Sequence, residues 1–349
     1  MRNRWIHPIY FPAISTIEAA CQIAMALGTT IRRINLLYLA ALYFRRSTVH
    51  ALLDNRKLAR TFSRRRTAQT GLRLALSNSE PKRKRRIIKS SSGNDARLLS
   101  RTVEISDDWK ITVWEVEKPA EVVDRYWNVQ ALPVTSEKAS NERRNLLDPF
   151  GLVLWPGSVV AAQELKYQSQ TVRNKSVLVL GGGVGVEAQA LAELGAKHVL
   201  ATDVHPTTLQ QLKLGVEENS GIRDSGVVDV AIFDLFSELS LPLPGAELIV
   251  VADVLYNEQL ATQVVSRLVE AWNRNPDIKI LVTDSQRFVD FMALLNKRFI
   301  EAVMNTPKTT PSIRFTETTM DAFTGSGVCI DEDQTYAVKV RKFWIGLDT

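Results

Sequence analysis

Short apolar runs alternate with amphipathic stretches through the second half of the chain. Five such runs occur, at 177–180, 198–202, 227–232, 247–252 and 279–283. Continuous apolar runs of this length are typical of strands covered on both faces of a parallel sheet. Amphipathic helical patterns follow them, at 186–194, 207–219, 259–272 and 288–297. This alternation predicts a doubly wound α/β sheet.

Further patterns flank this alternation on both sides. Apolar residues at 101–105 and 109–116 enclose a polar turn at 106–108, which predicts a small N-terminal β-hairpin. A helix with a serine N-cap is expected from Ser158 onward. Apolar residues near 302–304, 314–315 and 336–340 predict late antiparallel strands.

The first hundred residues differ in charge from the rest. They contain 20 Lys/Arg against 4 Asp/Glu, a net charge of +16, whereas residues 101–349 contain 24 against 34, a net charge of −10. Many arginines with few acids are typical of an organellar transit peptide. We therefore expect a basic leader over 1–97, targeting or disordered, a folded domain over 98–349, and location in a mitochondrion or plastid. The basic run at 81–86 keeps the nucleus as an alternative, beside the cytoplasm.

Composition disfavours several classes of protein. The apolar run at 34–44 has 11 residues, too few for a helix that spans a bilayer, so we expect no stable membrane span. Cys21, Cys329 and four scattered histidines show no metal-type spacing, so we expect no metal site. The acidic body argues against a nucleic-acid substrate and suits a cationic protein surface.

A glycine-rich turn follows the first buried run. Gly181, Gly182, Gly183 and Gly185 allow positive φ and let a ligand approach the backbone. The helix start behind them offers free N–H groups. Asp203 lies 18 residues after Gly185, where a carboxylate can accept the hydroxyls of a ribose. Together they predict a site for a ligand that contains a nucleoside.

The next four predicted strands end near carboxylates. These are Asp203, Asp234, Asp253 and Asp284. Ligands of such sheets bind outside the carboxyl ends of the strands, so acids at that edge strengthen the prediction of a ligand site. An acid at a strand end can instead cap the following helix, which is the interpretation we prefer for Asp284.

Two cofactor classes fit the glycine turn. Residues 183–188 (GVGVEA) match the pattern used for NAD. Residues 181–185 (GGGVG) match a pattern used for S-adenosylmethionine. Both ligands contain an adenosine whose ribose Asp203 can bind, so the turn alone leaves both open.

Two more segments help to distinguish the two cofactor classes, because they resemble the motifs of a known family. They are 151–157 (GLVLWPG) and 252–256 (ADVLY), which lie before the glycine turn and at the end of the fourth run. With the turn, they resemble the seven-β-strand (class I) protein lysine methyltransferases over residues 148–290, and most of all the branch that methylates the electron transfer flavoprotein beta subunit. The resemblance implies a Rossmann-like seven-stranded sheet.

The resemblance also implies a cofactor, a partner and a set of site residues. The cofactor would be S-adenosyl-L-methionine, and the partner a protein with an accessible lysine, methylated by a monomeric enzyme. Asp253 and Tyr256 would form the catalytic acid-x-x-Tyr pair, in which Asp253 receives the target ammonium and Tyr256 forms an aromatic wall beside it. The implied cofactor-binding residues are Trp155, Gly181, Gly183, Gly185, Asp203 and Asp234.

The chain departs from the family pattern at two positions. Val179 stands where the family usually has an acid, and Leu235 stands where a tryptophan often stacks on adenine. Losing one charge-assisted hydrogen bond to the cofactor would cost about 1.5–3 kcal/mol of binding. Two alternatives therefore stay open. One is a non-catalytic, methyltransferase-like binding or scaffold protein, and the other is an NAD-dependent oxidoreductase.

Overall fold

The computed structural model describes residues 83–89, 95–131, 147–285, 291–304, 311–325 and 334–347. All of them belong to one unit, Ser79–Thr349. Most of the predicted leader, the apolar run at 34–44 and the first two residues of the 81–86 run lie outside these ranges.

Ten strands and seven α-helices occur within the described ranges. The strands are β1 (Arg85–Lys89), β2 (Asp95–Ser106), β3 (Trp109–Val116), β4 (Ser176–Leu180), β5 (His198–Asp203), β6 (Val228–Ile232), β7 (Leu248–Ala252), β8 (Lys279–Asp284), β9 (Ile313–Gly325) and β10 (Gln334–Ile345). The helices are α1 (Pro119–Ala131), α2 (Pro156–Tyr167), α3 (Val186–Glu193), α4 (Pro206–Glu218), α5 (Ser220–Ser225), α6 (Glu258–Arg274) and α7 (Phe291–Met304). Short 3-10 turns at Phe150–Leu152 and Ser169–Thr171 flank α2.

The larger sheet has seven strands in the order β6-β5-β4-β7-β8-β10-β9. The first five strands in this order are parallel, and β10 pairs antiparallel with both β8 and β9. The chain progresses in opposite directions on the two sides of β4, so the topological switch point lies at the carboxyl end of β4. The predicted Rossmann-like, seven-stranded fold and its late antiparallel strands are confirmed.

Helices cover both faces of this sheet because β4 and β7 are apolar on both faces. Leu178 and Leu180 pack in a cluster with residues of α6 and α7. Val177 and Val179 face the opposite side and pack with residues of α2, α3 and α4. Val179 is thus enclosed in an apolar cluster, and an acid at this position would lose its hydration there.

The smaller sheet is antiparallel, in the order β1-β2-β3. The predicted hairpin is confirmed as β2 and β3, but β1 adds a third strand. The expected domain start at Leu98 is therefore too late, since it falls inside β2. The basic residues of β1 were assigned to the leader, yet they are partnered within the fold. Arg85 pairs with Glu117 at 3.3 Å, and Arg86 pairs with Glu218 at 3.4 Å.

Buried polar contacts connect the small sheet to the segment that precedes α2. Arg101 and Glu115 form an ion pair, and Glu115 Oε1 also accepts a hydrogen bond from Leu154 N at 2.8 Å. Gln211 Nε2 on α4 donates to the carbonyl of Leu152 at 3.1 Å. The chain just before α2 is therefore held from two sides.

Several local predictions need correction. Trp155, and not Ser158, is the N-cap residue of α2, because Pro156 occupies the first helical position. Residues 302–304 end α7 and do not form a strand. The helix α1 was not predicted. Within the described part of the chain, no helix has the length and apolarity of a membrane span, and no group of three metal-ligating side chains is found.

Candidate active site

The glycine turn lies at the carboxyl end of β4 and has a conformation that glycine alone adopts without strain. Gly181 and Gly185 have φ values of 70° and 90°. A Cβ on Gly181 would lie 2.6 Å from Val254 Cγ2, and one on Gly185 would lie 2.6 Å from Leu212 Cγ. The predicted turn thus depends on both a positive φ and close packing.

Asp203 lies beside the turn, at the end of β5. Its Oδ2 accepts a hydrogen bond from Gly183 N at 3.2 Å, and its Oδ1 accepts one from His205 N at 2.9 Å. Burial raises the pKa of Asp203 to about 6, and the negative charge of Asp148 adds to this shift. The carboxylate and the turn are therefore brought together as predicted.

Trp155 follows a 3-10 turn, Phe150–Leu152, that reaches Asp203. Its Nε1 donates to the carbonyl of Phe150 at 2.6 Å, and its ring packs near Val153. In the same turn, a Cβ on Gly151 would lie 3.2 Å from Asp203 Oδ2. The segment that contains Trp155 therefore approaches the ribose-binding position predicted for Asp203.

Asp253 joins two elements through hydrogen bonds to backbone groups. Its Oδ2 accepts from Gly157 N in the first turn of α2, and its Oδ1 accepts from Ser285 N after β8, at 2.7 Å. The residue is only 5% exposed and has a φ of 53°, which is uncommon for a non-glycine residue. This geometry makes Asp253 a structural link, and the catalytic role assigned to it stays a prediction.

Tyr256 contacts a different acid. Its hydroxyl donates to Asp148 Oδ2, while Asp148 Oδ1 accepts from Phe150 N at 2.8 Å. The Phe150 ring lies 5.1 Å from the Tyr256 ring and 6.1 Å from the Tyr126 ring, measured between centroids. Burial raises the pKa of Tyr256, and the charge of Asp148 raises it further. Tyr256 therefore remains a hydrogen-bond donor at neutral pH.

Asp148 and Tyr126 were missed by the sequence analysis. Asp148 stands at the start of the same segment as Trp155, and an acid two residues before the 3-10 turn was the available signal. Tyr126 lies on the unpredicted helix α1, so no signal pointed to it.

Asp234 and Asp284 are the remaining predicted acids. Asp234 is exposed, and its Oδ1 accepts from Phe236 N at 2.9 Å in a local turn. The loop around it is held by Arg267, whose Nε donates to the carbonyl of Leu235 at 3.1 Å. Asp284 is buried at the end of β8, and its predicted capping role involves residues outside the described ranges. The adenine-binding role of Asp234 stays a prediction.

Glu187 is a further acid that the sequence analysis did not select. It lies in the first turn of α3, directly behind the glycine turn, and is 1% exposed. Its carboxyl group interacts with the Ser158 side chain. Burial raises the pKa of Glu187 to about 7, and the charge of Asp253 adds to this shift.

The chain is similar to proteins that are named methyltransferases. A family model described as lysine methyltransferase matches residues 139–305. The electron transfer flavoprotein beta subunit lysine methyltransferase of Rattus norvegicus is 33% identical over 114 residues, which cover 33% of this chain and 42% of that protein. The histone-arginine methyltransferase METTL23 of Xenopus laevis is 27% identical over 147 residues, which cover 41% of this chain and 60% of that protein. The crystal structure of a putative RNA methyltransferase from Pyrococcus horikoshii is 16% identical, covers 57% of this chain and 88% of its own, and has a TM-score of 0.40.

The family match covers strands β4 to β8 and most residues of the candidate site. The chain spans about two-fifths of the length of the flavoprotein-directed relative. The matched residues include the glycine turn, Asp203, Asp253 and Tyr256, which the fold gathers at the carboxyl ends of β4, β5 and β7. Residues 139–305 are therefore similar to the lysine methyltransferase family.

Proposed function

We propose that this protein transfers a methyl group from S-adenosylmethionine to a lysine side chain of another protein. The observation that carries the proposal is geometric. Asp148 accepts a hydrogen bond from the Tyr256 hydroxyl, and a Cβ on Gly151 in the same segment would lie 3.2 Å from Asp203 Oδ2. This segment therefore lies beside both the acid suited to a ribose and the aromatic group suited to a target.

The described residues fit the proposed cofactor. The glycine turn removes side chains that would keep a ligand from the backbone, and Asp203 offers a carboxylate to the ribose hydroxyls. Among the described residues, Glu187 Oε1 is buried without a hydrogen-bond partner, so a cationic group of a ligand would satisfy it. When bound, S-adenosylmethionine supplies a methyl group on a positively charged sulfur.

The main task of the protein in this reaction is alignment. A bond forms between the lysine nitrogen and the methyl carbon while the carbon–sulfur bond breaks, and its electron pair stays on sulfur. Such an in-line displacement is accelerated chiefly by holding the reacting groups in position. In this proposal, Asp253 is a positioning residue, since its hydrogen bonds connect α2 with the chain after β8.

The target amine must first lose a proton. Deprotonating a lysine of ordinary pKa at pH 7 costs about 4–5 kcal/mol. Asp148 attracts and orients the ammonium, whereas the rings of Tyr126, Phe150 and Tyr256 exclude water and so favour the neutral amine. The proton passes to solvent before transfer.

Arginine is the competing target, because relatives of this chain include a protein named histone-arginine methyltransferase. Lysine is favoured here by the family model, which covers both Asp148 and Tyr256. The acidic body, with a net charge of −10 over residues 101–349, suits a basic protein surface. We further propose that the protein acts as a monomer in an organelle, to which its basic leader directs it.

Methyl labelling tests the proposal. The full chain is incubated with methyl-labelled S-adenosylmethionine and a mitochondrial or plastid extract, and the labelled residue is identified by mass spectrometry. We expect label on a lysine with the wild-type protein and with the exposed-site control Glu104→Gln, and loss of label with Asp203→Ala. Label on arginine would overturn the lysine assignment. Binding of S-adenosylhomocysteine without any transfer would favour the scaffold alternative, and competition by NADH would favour the oxidoreductase.

A further inference from the structure

Glu187 is a buried acid with one oxygen that lacks a hydrogen-bond partner among the described residues. Its Oε1 has no hydrogen-bond partner among the described residues, although the side chain is 1% exposed. The groups that shift its pKa include the Ser158 side chain and the Asp253 carboxylate, and no lysine or arginine is among them. A buried carboxyl group in this state is costly unless something cationic or donating binds to it.

The position of Glu187 suggests what that group is. It lies in the first turn of α3, which begins at the glycine turn, and contacts Ser158 in the first turn of α2. Asp253, at the end of β7, is close enough to raise its pKa. The carboxyl group therefore lies near the carboxyl ends of β4 and β7, the edge of the sheet at which ligands of such folds bind.

Strand β4 itself lacks the acid that the family pattern places there. Val179 occupies that position and packs in the apolar cluster with residues of α2 and α3. Val179 is paired with Ala201 and Val250 on the neighbouring strands. These flanking positions are apolar too, so the strands beside Val179 offer no acid at this level of the sheet.

We propose that Glu187 binds the α-amino group of the methionine part of the cofactor, in place of the acid absent at Val179. This inference rests on the proposed function, because it requires that S-adenosylmethionine binds at the glycine turn. The ammonium donates to Glu187 Oε1, and Ser158 holds the second oxygen. Binding of the ammonium gives the buried carboxylate oxygen a charged hydrogen-bond donor and so offsets the cost of its desolvation.

Ligands with and without the amino group test the inference. Affinities are measured by calorimetry for S-adenosylhomocysteine and for its deamino analogue, with the wild-type protein and with Glu187→Gln. We expect Glu187→Gln to weaken S-adenosylhomocysteine about 10–100-fold, the range for loss of a charge-assisted hydrogen bond. We expect Glu187→Gln to change the affinity for the deamino analogue less than about twofold. This analogue already lacks the amino group, so the substitution has no further interaction to remove.

The control variant is Glu104→Gln, which removes an exposed carboxylate on β2 and should bind both ligands as the wild type does. An equal loss of affinity for both ligands in Glu187→Gln would overturn the inference, because it would indicate a structural role. An unchanged affinity for S-adenosylhomocysteine would also overturn it while leaving the proposed function standing. Failure of the wild-type protein to bind either ligand would refute the proposed function itself.

Discussion

The Tyr256 hydroxyl donates a hydrogen bond to Asp148 Oδ2, although the two residues lie 108 positions apart in the chain. The fold creates this pair by bringing the 3-10 turn before α2 against the loop after β7. Asp148 is fixed by a second hydrogen bond from Phe150 N, so the hydroxyl and the backbone hold its two oxygens in a defined orientation. The proposed target site depends on that orientation.

Tyr256→Phe should reduce turnover while leaving the cofactor bound. The substitution keeps the ring against Phe150 but removes the donor to Asp148. A hydrogen bond to a charged group contributes about 1.5–3 kcal/mol, so kcat should fall about 10–100-fold. Steady-state methyl transfer and calorimetry measure the two quantities separately. Tyr167→Phe, at an 80% exposed position on α2, is the matched control and should behave as the wild type.

Asp148→Asn should remove the negative charge of this residue while keeping the shape of its side chain. The amide can still accept a hydrogen bond from Phe150 N and exchange one with the Tyr256 hydroxyl. Without the negative charge, the target ammonium loses its attraction, so KM for the protein substrate should rise about tenfold. The pKa of Asp203 should fall, because the charge of Asp148 contributes to its elevation. Unchanged kinetics would contradict the assigned role.

Gly181→Ala should destabilise the protein more than Gly226→Ala. Both glycines have positive φ, 70° and 61°, so both substitutions introduce similar backbone strain. Only at Gly181 does the new Cβ overlap a neighbour, lying 2.6 Å from Val254 Cγ2, whereas no atom lies within 4 Å at Gly226. Overpacking adds about 1–3 kcal/mol to the loss in the free energy of unfolding. Urea unfolding of both variants measures the difference, and equal losses would contradict the described packing.

Arg101→Met should cost more stability than any exposed ion pair. Arg101 and Glu115 are 7% and 4% exposed, and loss of the guanidinium leaves the Glu115 carboxylate buried beside the Leu154 amide alone. Breaking a buried pair from one side costs about 3–5 kcal/mol. Lys110→Met is the matched control, because Lys110 pairs with Glu104 on the exposed face of the same sheet. Similar unfolding midpoints for the two variants would contradict this account.

The sheet could be predicted because its strands are apolar on both faces. Continuous runs such as 248–252 and 177–180 have few other interpretations when helices separate them. The glycine turn and Asp203 were predictable for a similar reason, because their chemistry is local to one β-turn-helix-β unit.

The contacts of the acids could not be predicted, because they form between distant segments. Asp253 was expected to face the target, yet its oxygens accept hydrogen bonds from Gly157 and Ser285, 96 and 32 positions away. Asp148 acquires its partner only when the chain before α2 folds against β7. Similarly, the basic residues of β1 have the composition of a leader in the sequence. Their partners Glu117 and Glu218 are distant in the chain and come close only in the fold.

The ligand-free stability of the protein should depend on pH through Glu187. Burial raises its pKa in the folded state to about 7 from an ordinary value of 4.5, so the folded state binds this proton more tightly than the unfolded state does. The stabilisation is fully present below pH 4.5 and is lost as the pH rises through 7. In Glu187→Gln the neutral side chain keeps its contact with Ser158 at every pH.

The difference between the two proteins should therefore grow with pH. Near pH 5 their free energies of unfolding should be close, and near pH 8 the glutamine variant should be more stable by about 2–3 kcal/mol. Asp203 has a raised pKa in both proteins, so its contribution cancels in the comparison. Urea unfolding without ligand at the two pH values measures the change. A constant difference would show that Glu187 is already compensated, and the reason for expecting a cationic ligand there would disappear with it.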